Sequence, residues 1–486
     1  SCRRPIFANV FGGTVKNLTV DGTMGTVLDS PGYQGVCPLV GVLHGGLIQN
    51  CTNDVDIKVN AHFGNIAMAG VCRTMQNGTI ENCTNNGEIT FNAALTAPTN
   101  IYAGGIVALV GKNYGTGGFG SPSSDASEPF AGAVTISGCT NSKPVSLTNT
   151  ATDANNRMQY CAVGGIAGWI WGGVLENDRY VTICNCGNSG TLKVDEKSFT
   201  SRTTGIAGVG GILGWAAPVA SQGRILGPVY GSGDDSKCVE GFYLKITDCH
   251  NDASATISAS RKCGGSSLVS SAVYTHKVGC GGIAGILFGQ YKGSMAEISG
   301  CVSDGTVIGY WDDKDKDSMG QGSRYNVSGG IAGYCGSVSI LDCIVGKDRQ
   351  AEIGTGGYNM AAAGVAGAAY NKFVISNCRV NAKVTRLNIC NISVFGSLVT
   401  NYLWTMTRSG NDVYDGSVIS GCSIKGDIFY TKLATDTTKQ LLKDSAIGVA
   451  PDTQNYCVLG GEDLAKDAGA YMKGYIKISG TTHYTE

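Results

Sequence analysis

The sequence predicts an all-β solenoid, a right-handed parallel β-helix with loop insertions and a small C-terminal cap. Three observations predict it. The composition is rich in glycine and poor in charge, a segment ending in cysteine recurs nine times, and the same two β-prone stretches accompany most recurrences. Residues 1–430 read as the repetitive part, about nine to ten repeats, and 431–486 as the capping region.

Composition sets the class. Of 486 residues, 73 are Gly and 10 are Pro, and 15% are charged. Ordinary domains run near 7% Gly and about 25% charge. There is no G-X-Y period, so collagen is excluded, and Ile, Val, Leu and Cys recur too often for a disordered chain. A formal net charge of −1 carries no electrostatic footprint for nucleic acid or acidic lipid. No uninterrupted apolar run reaches the roughly 18 residues of a membrane span. No leader is visible, and Ser1 reads as a mature or trimmed start.

The repeat is anchored on cysteine. Nine segments end in a Cys preceded by Asn, Gly or Asp, at Cys51, Cys83, Cys139, Cys186, Cys249, Cys301, Cys343, Cys378 and Cys422. Upstream lies a Gly-rich apolar block: AGGIVA from Ala103, VGGIAG from Val163, VGGILG from Val209, CGGIAG from Cys280, SGGIAG from Ser328 and AAGVAG from Ala362. Downstream a third stretch alternates, as in GEITFN from Gly87 and GTLKV from Gly190. Alternation over four to six residues argues strand. The cysteines are 32 to 63 residues apart, which predicts a fixed coil with insertions of variable length, the longest over Lys112–Ala133, Ala216–Cys238, Asp252–Gly279 and Asp304–Asn326. Stacked coils bury Ile and Val as interior ladders. In each GG pair the first Gly is expected at a corner of positive φ and the second where neighbouring backbones approach.

The GGIAG-type block followed by a strand ending in Asn/Gly-Cys resembles the GLUG-motif repeats of bacterial surface and adhesin-like proteins of Bacteroidales type. The resemblance covers roughly Ile6 to Tyr430, and IFANVFGGTVKNLTVDG from Ile6 resembles a preceding coil. It implies the solenoid fold and an extracellular or cell-surface location, and it carries no catalytic signature. The chain departs from the family in placing Ile or Val where Leu is typical, and in its 20 cysteines.

Three columns follow from stacking the repeats. The cysteines would lie about 4.8 Å apart, as stacked small hydrophobes or, alternatively, as a reactive or metal-binding ladder. A disulfide between Cys263 and Cys280 is a further candidate. Two residues after the cysteine come Asn53, Asn85, Asn141, Asn188 and Asn251, and then Ser303, Val345, Val380 and Ile424. This column reads as a structural asparagine ladder at a corner that tolerates left-handed backbone. The residue after GGIAG is Trp169, Trp215, Ile286, Tyr334 or Ala368. Alternation sends it outward, with Trp171 on the same face. Trp169, Trp171, Trp215 and Tyr334 are therefore the candidate platform for stacking sugar rings, and packing beneath the insertions is the competing reading.

Catalytic signatures are weak. A β-helix glycosidase or lyase needs clustered carboxylates on one face, and the repeats carry few acids at matching offsets. Asp313, Asp315 and Asp317 resemble the start of a calcium loop, but Arg324 stands where the bidentate Glu belongs. A structural Ca²⁺ there is the sole cofactor candidate, against a solvated charged loop. The five His form no visible triad with Ser or Cys. The sequence thus predicts a non-enzymatic surface scaffold, adhesin-like, binding glycans or host and matrix surface proteins. The alternative is a structural subunit of an extracellular filament or surface layer built by head-to-tail self-stacking, because repeat-like sequence starts by Ile6 without a cap while Lys439–Ala446 and Glu462–Lys473 offer one at the other end. A carbohydrate-active enzyme ranks third.

Overall fold

The computed structural model describes residues 4–28, 33–111, 132–151, 156–170, 180–196, 205–216, 241–261, 276–288, 294–310, 324–355, 360–386, 400–404, 417–430, 447–449, 476–479 and 482–484. It is a parallel β-helix. Every strand pairing among the described residues is parallel, and the strands fall into two 17-stranded sheets and one of 8 strands. We call the larger sheets faces A and B, and the smaller one face C. No described residue is helical, and no helix is long and apolar enough to cross a membrane.

One coil shows the plan. Thr99–Gly104 lies on face C, Val107–Val110 and Val134–Ser137 on face A, and Thr140–Asn141 and Val145–Asn149 on face B. The earlier strand Cys72–Glu81 runs unbroken, pairing with Val107–Val110 through its first half and with Val134–Ser137 through its second. Two interior clusters fill the coil. One contains the cysteine column with Ile80, Ile136, Ile183, Ile246 and Ile298, and the other joins faces B and C through Phe91, Leu147, Val163 and Val194. Strands this apolar on the inward face suit parallel pairing, in which neighbouring coils cover each edge.

The corner between faces A and B explains the Asn/Gly/Asp–Cys signature. Asn50, Asn82, Gly138, Asn185, Asp248, Gly300, Asp342, Asn377 and Gly421 all have φ between 51° and 63°. This is the left-handed region that Gly, Asn and Asp enter most readily. The following Cys then turns its thiol inward.

The glycine pairs work differently from expectation. Neither Gly164 nor Gly165 has positive φ, and the same holds for Gly210–Gly211, Gly281–Gly282 and Gly329–Gly330. They are required by contact instead. A Cβ on Gly164 would lie 1.9 Å from the Ala167 carbonyl oxygen, and one on Gly165 would lie 2.2 Å from the Gly211 carbonyl oxygen of the next coil. The reading of the first Gly as a positive-φ corner is therefore corrected: the chain folds back on itself there so closely that no side chain fits.

The insertions leave from two aligned junctions. In the first three coils the middle of face A is crossed by tight turns at Phe11-Gly12-Gly13, His44-Gly45-Gly46 and Gln76-Asn77-Gly78, with Gly12, Gly45, Gly46 and Gly78 at positive φ. Residues 112–131, 171–179 and 217–240 depart from the corresponding place in later coils. The second junction lies between faces B and C. There the insertions are shorter than the sequence suggests, because Thr256–Arg261, His276–Gly281, Thr306–Tyr310 and Arg324–Gly329 are strands of the coils themselves. The proposed helical cap segments lie outside the described residues; Ile476–Ser479 continues face A.

Candidate functional site

The aromatic column was the sequence's best binding candidate, and its geometry decides against a sugar platform. Leu109, Trp169, Trp215, Ile286, Tyr334 and Ala368 do stack in register on face A. The adjacent residues Ile170 and Ala216 belong to the interior cluster and the Trp side chains do not, so the rings face away from the core. Outward here does not mean exposed. Trp169 is 3% accessible, and Trp215 and Tyr334 are 0%.

Faces C and A meet in a concave crease, in which outward side chains of both faces converge. Tyr102 of face C stacks on Trp169 with ring centroids 4.5 Å apart, Tyr160 meets Trp215 edge-on at 6.0 Å, and Trp169 lies 5.8 Å from Trp215. Room for the rings comes from small residues in the facing column, where Tyr102, Ala162, Gly208, Gly279 and Val327 are in register. A Cβ on Gly279 would sit 2.8 Å from Ile286 Cγ1 and 3.1 Å from Tyr334 Cδ2. These rings form a second, external core. The stacking platform at Trp169, Trp215 and Tyr334 is therefore corrected to packing. Trp171 lies outside the described residues.

The cysteine column is continuous from Cys51 to Cys422, all nine thiols buried and free. Each Sγ donates to the carbonyl oxygen two residues before it, 3.3 Å away in Cys186, and contacts a carbonyl of the preceding coil, Val15 for Cys51 and an Ile for the rest, such as Ile136 at 3.7 Å from Cys186. Burial pushes the nearby Cys37 thiol up to about 11 and Cys335 to about 12, and the Cys139 thiol together with burial raises Cys83 to about 12. The Cys37, Cys83 and Cys335 thiols therefore stay protonated near neutrality and are poor nucleophiles. Cys280 is likewise a free, buried thiol, paired with Val209 and Ser328 on face C. The suggested bridge to Cys263 is corrected accordingly, since the Cys280 side chain points into the core; Cys263 lies outside the described residues.

The asparagines form the ladder the sequence suggests, inside the coil. Asn53 Nδ2 donates to Asn85 Oδ1 (2.7 Å), Asn85 to Asn141 (2.8 Å), Asn141 to Asn188 (2.8 Å) and Asn188 to Asn251 (2.9 Å). None of the five has left-handed backbone; that conformation belongs to the residue three positions earlier. The ladder also accounts for the second Gly of each pair. A Cβ on Gly165 would lie 2.5 Å from Asn188 Oδ1, and on Gly211 2.7 Å from Asn251 Oδ1.

Among the described residues no three His, Cys, Asp or Glu side chains are placed to hold a metal ion. Asp313, Asp315 and Asp317 lie outside them. No family model, curated protein or solved structure matches the chain. The site features therefore stand on their own geometry: a stack held by two interior ladders, an external aromatic seam, and two junctions from which insertions depart.

Proposed function

We propose that the chain is an extracellular, adhesin-like display scaffold, of the kind the GLUG-type repeats suggest, whose insertions and not its aromatic column contact glycans or surface proteins. The alignment of insertion points supports this reading. Residues 112–131, 171–179 and 217–240 begin and end on strands that are direct neighbours in face A. Their points of departure are spaced by the coil repeat, about 4.8 Å, so several segments are presented side by side from a rigid support. Buried thiols and a hydrogen-bonded ladder suit the support, and neither calls for chemistry.

The test replaces residues 112–131 and 217–240 with the short Asn-Gly turn used at Asn77-Gly78. The expected outcome is an unchanged thermal midpoint with binding lost on glycan and matrix-protein arrays. Binding retained by the shortened chain rejects the reading.

A second reading, end-to-end self-stacking, is favoured by exposed apolar side chains near Phe7–Lys16 and Thr19–Leu28, where Ile6, Phe11 and Val27 are 54%, 70% and 46% exposed. Phe11→Asp lowers the sedimentation coefficient at high concentration if this patch self-associates, and leaves it unchanged if it does not.

A further inference from the structure

The asparagine ladder stops inside the molecule, and the way it stops defines a buried polar site. Each inner rung donates twice. Asn85 Nδ2 reaches the Gly87 carbonyl at 2.9 Å as well as Asn141, and Asn188 Nδ2 reaches the Gly190 carbonyl at 2.9 Å as well as Asn251. Asn251 is 1% exposed and accepts from Asn188, yet its own Nδ2 has no hydrogen-bond partner among the described residues.

Two local changes leave it so. Leu192 and Ile257 are in register, but Leu192 stands four residues beyond Asn188 and Ile257 six beyond Asn251. The two extra residues close their own turn, Ala255 N–H to the Asp252 carbonyl at 2.9 Å, so the usual acceptor two residues on is displaced. The next rung is Ser303, in register with Asn251 but two heavy atoms shorter than asparagine. Ser303 Oγ is also fully buried and also without a partner. Two in-register neighbours thus face each other with an unused donor and an unused hydroxyl, in an interior where nearly all polar groups are satisfied.

We infer that a single ordered water occupies this point and completes the ladder, accepting from Asn251 Nδ2 and bonding to Ser303 Oγ. A carboxamide exceeds a hydroxyl by roughly the volume of one water, and a buried water needs two to four polar partners. Asn251 Nδ2 and Ser303 Oγ supply two, and two carbonyl oxygens lie close to Nδ2: a Cβ on Gly305 would sit 2.4 Å from Asn251 Nδ2, 2.7 Å from the Ala255 carbonyl oxygen and 2.9 Å from that of Asp252. The water is the hinge between the hydrogen-bonded and the aliphatic parts of the column.

A crystal structure at a resolution that shows solvent tests this on the full chain, with the Ser303→Asn variant beside it. Native density should show one peak within hydrogen-bond distance of both Asn251 Nδ2 and Ser303 Oγ. In Ser303→Asn the peak should vanish, the new carboxamide should accept from Asn251, and the thermal midpoint should rise by about 1–3 °C. Gly282 leaves space for it, as Gly211 does for Asn251. A native map with no peak, or with Asn251 and Ser303 in direct contact, overturns the inference whether or not the variant folds. A variant that keeps the peak, or loses stability while folded, overturns it as well.

Discussion

From Asn53 to Asn251 the first interior position of face B is a chain of carboxamides; from Val345 to Ile424 the same position is aliphatic. Three other features of the coil continue across the change. The left-handed corner continues through Asp342, Asn377 and Gly421, the cysteine column continues to Cys422, and the glycine pair continues to Gly329–Gly330. A Cβ on Gly330 would meet Val345 Cγ1 at 2.7 Å, as one on Gly211 would meet Asn251 Oδ1 at 2.7 Å. The fold therefore requires a side chain of a certain volume against the glycine and does not prescribe its polarity. Hydrogen bonding along the stack is one solution and aliphatic packing another.

The largest effect should fall on what both halves share. In Gly165→Ala the new methyl would lie 2.2 Å from a carbonyl oxygen of the next coil, and in Gly330→Ala 2.0 Å from the Gly364 carbonyl oxygen. Backbone cannot yield as a side-chain tip can, so each substitution should destabilise by about 3 kcal/mol, measured as the shift in the urea midpoint. Equal losses keep the requirement in the backbone. A loss confined to Gly165→Ala would move it to the ladder and break the comparison.

A smaller and sharper contrast separates the halves. Asn188→Val leaves Asn251 Oδ1 without its donor and removes the acceptor of Asn141 Nδ2, at a cost of about 2–3 kcal/mol. Val380→Asn should be destabilising by a similar amount, since Val345 and Ile424 on either side offer a carboxamide no partner. Changing Asn53, Asn85, Asn141, Asn188 and Asn251 together to Val should lose less than five times the single substitution, because no orphaned partner remains. Strict additivity in thermal unfolding would show that each asparagine acts alone and that the ladder is not a unit.

The parts legible in the sequence are those set by short-range pattern. Nine Asn/Gly/Asp–Cys pairs announce the coil and its register, because the turn demands left-handed backbone and a small inward side chain at fixed spacing. The asparagine column followed from counting two residues onward. What escaped depends on neighbours distant in sequence. Alternation says that Trp169 points away from Ile170, but only the angle between faces A and C makes that side a crease filled by Tyr102 and Tyr160. The glycine pairs look like turns locally, whereas the atoms that exclude a Cβ from Gly165 belong to the next coil. The binding role assigned to Trp169, Trp215 and Tyr334 failed for the same reason. A useful signal was present: Gly208 and Gly279 stand opposite the rings, and small residues facing large ones in adjacent columns imply packing.

The smallest expected difference lies in the column that crosses both halves unchanged. Cys83 Sγ donates to the Glu81 carbonyl at 3.3 Å, and Cys378 Sγ to the Ser376 carbonyl at 3.5 Å. A serine at either place keeps an acceptor and loses mainly apolar volume, so Cys83→Ser and Cys378→Ser should each destabilise by about 1 kcal/mol at pH 7. The pH dependence is more telling. The Cys139 thiol and burial hold Cys83 up at about 12, above the usual value of 9.0 that it regains on unfolding. The unfolded chain then loses its proton first, so the protonated thiol's full contribution exists below pH 9 and declines above it, by about 1.4 kcal/mol per pH unit until the folded thiol also ionises. Serine has no such titration. The deficit of Cys83→Ser should therefore shrink above pH 9 and reverse near pH 10, and Cys378→Ser should follow, since the Cys343 thiol and burial raise that group too. A deficit that stays constant from pH 7 to pH 10.5 would mean that the column's thiols are solvated enough to ionise in place.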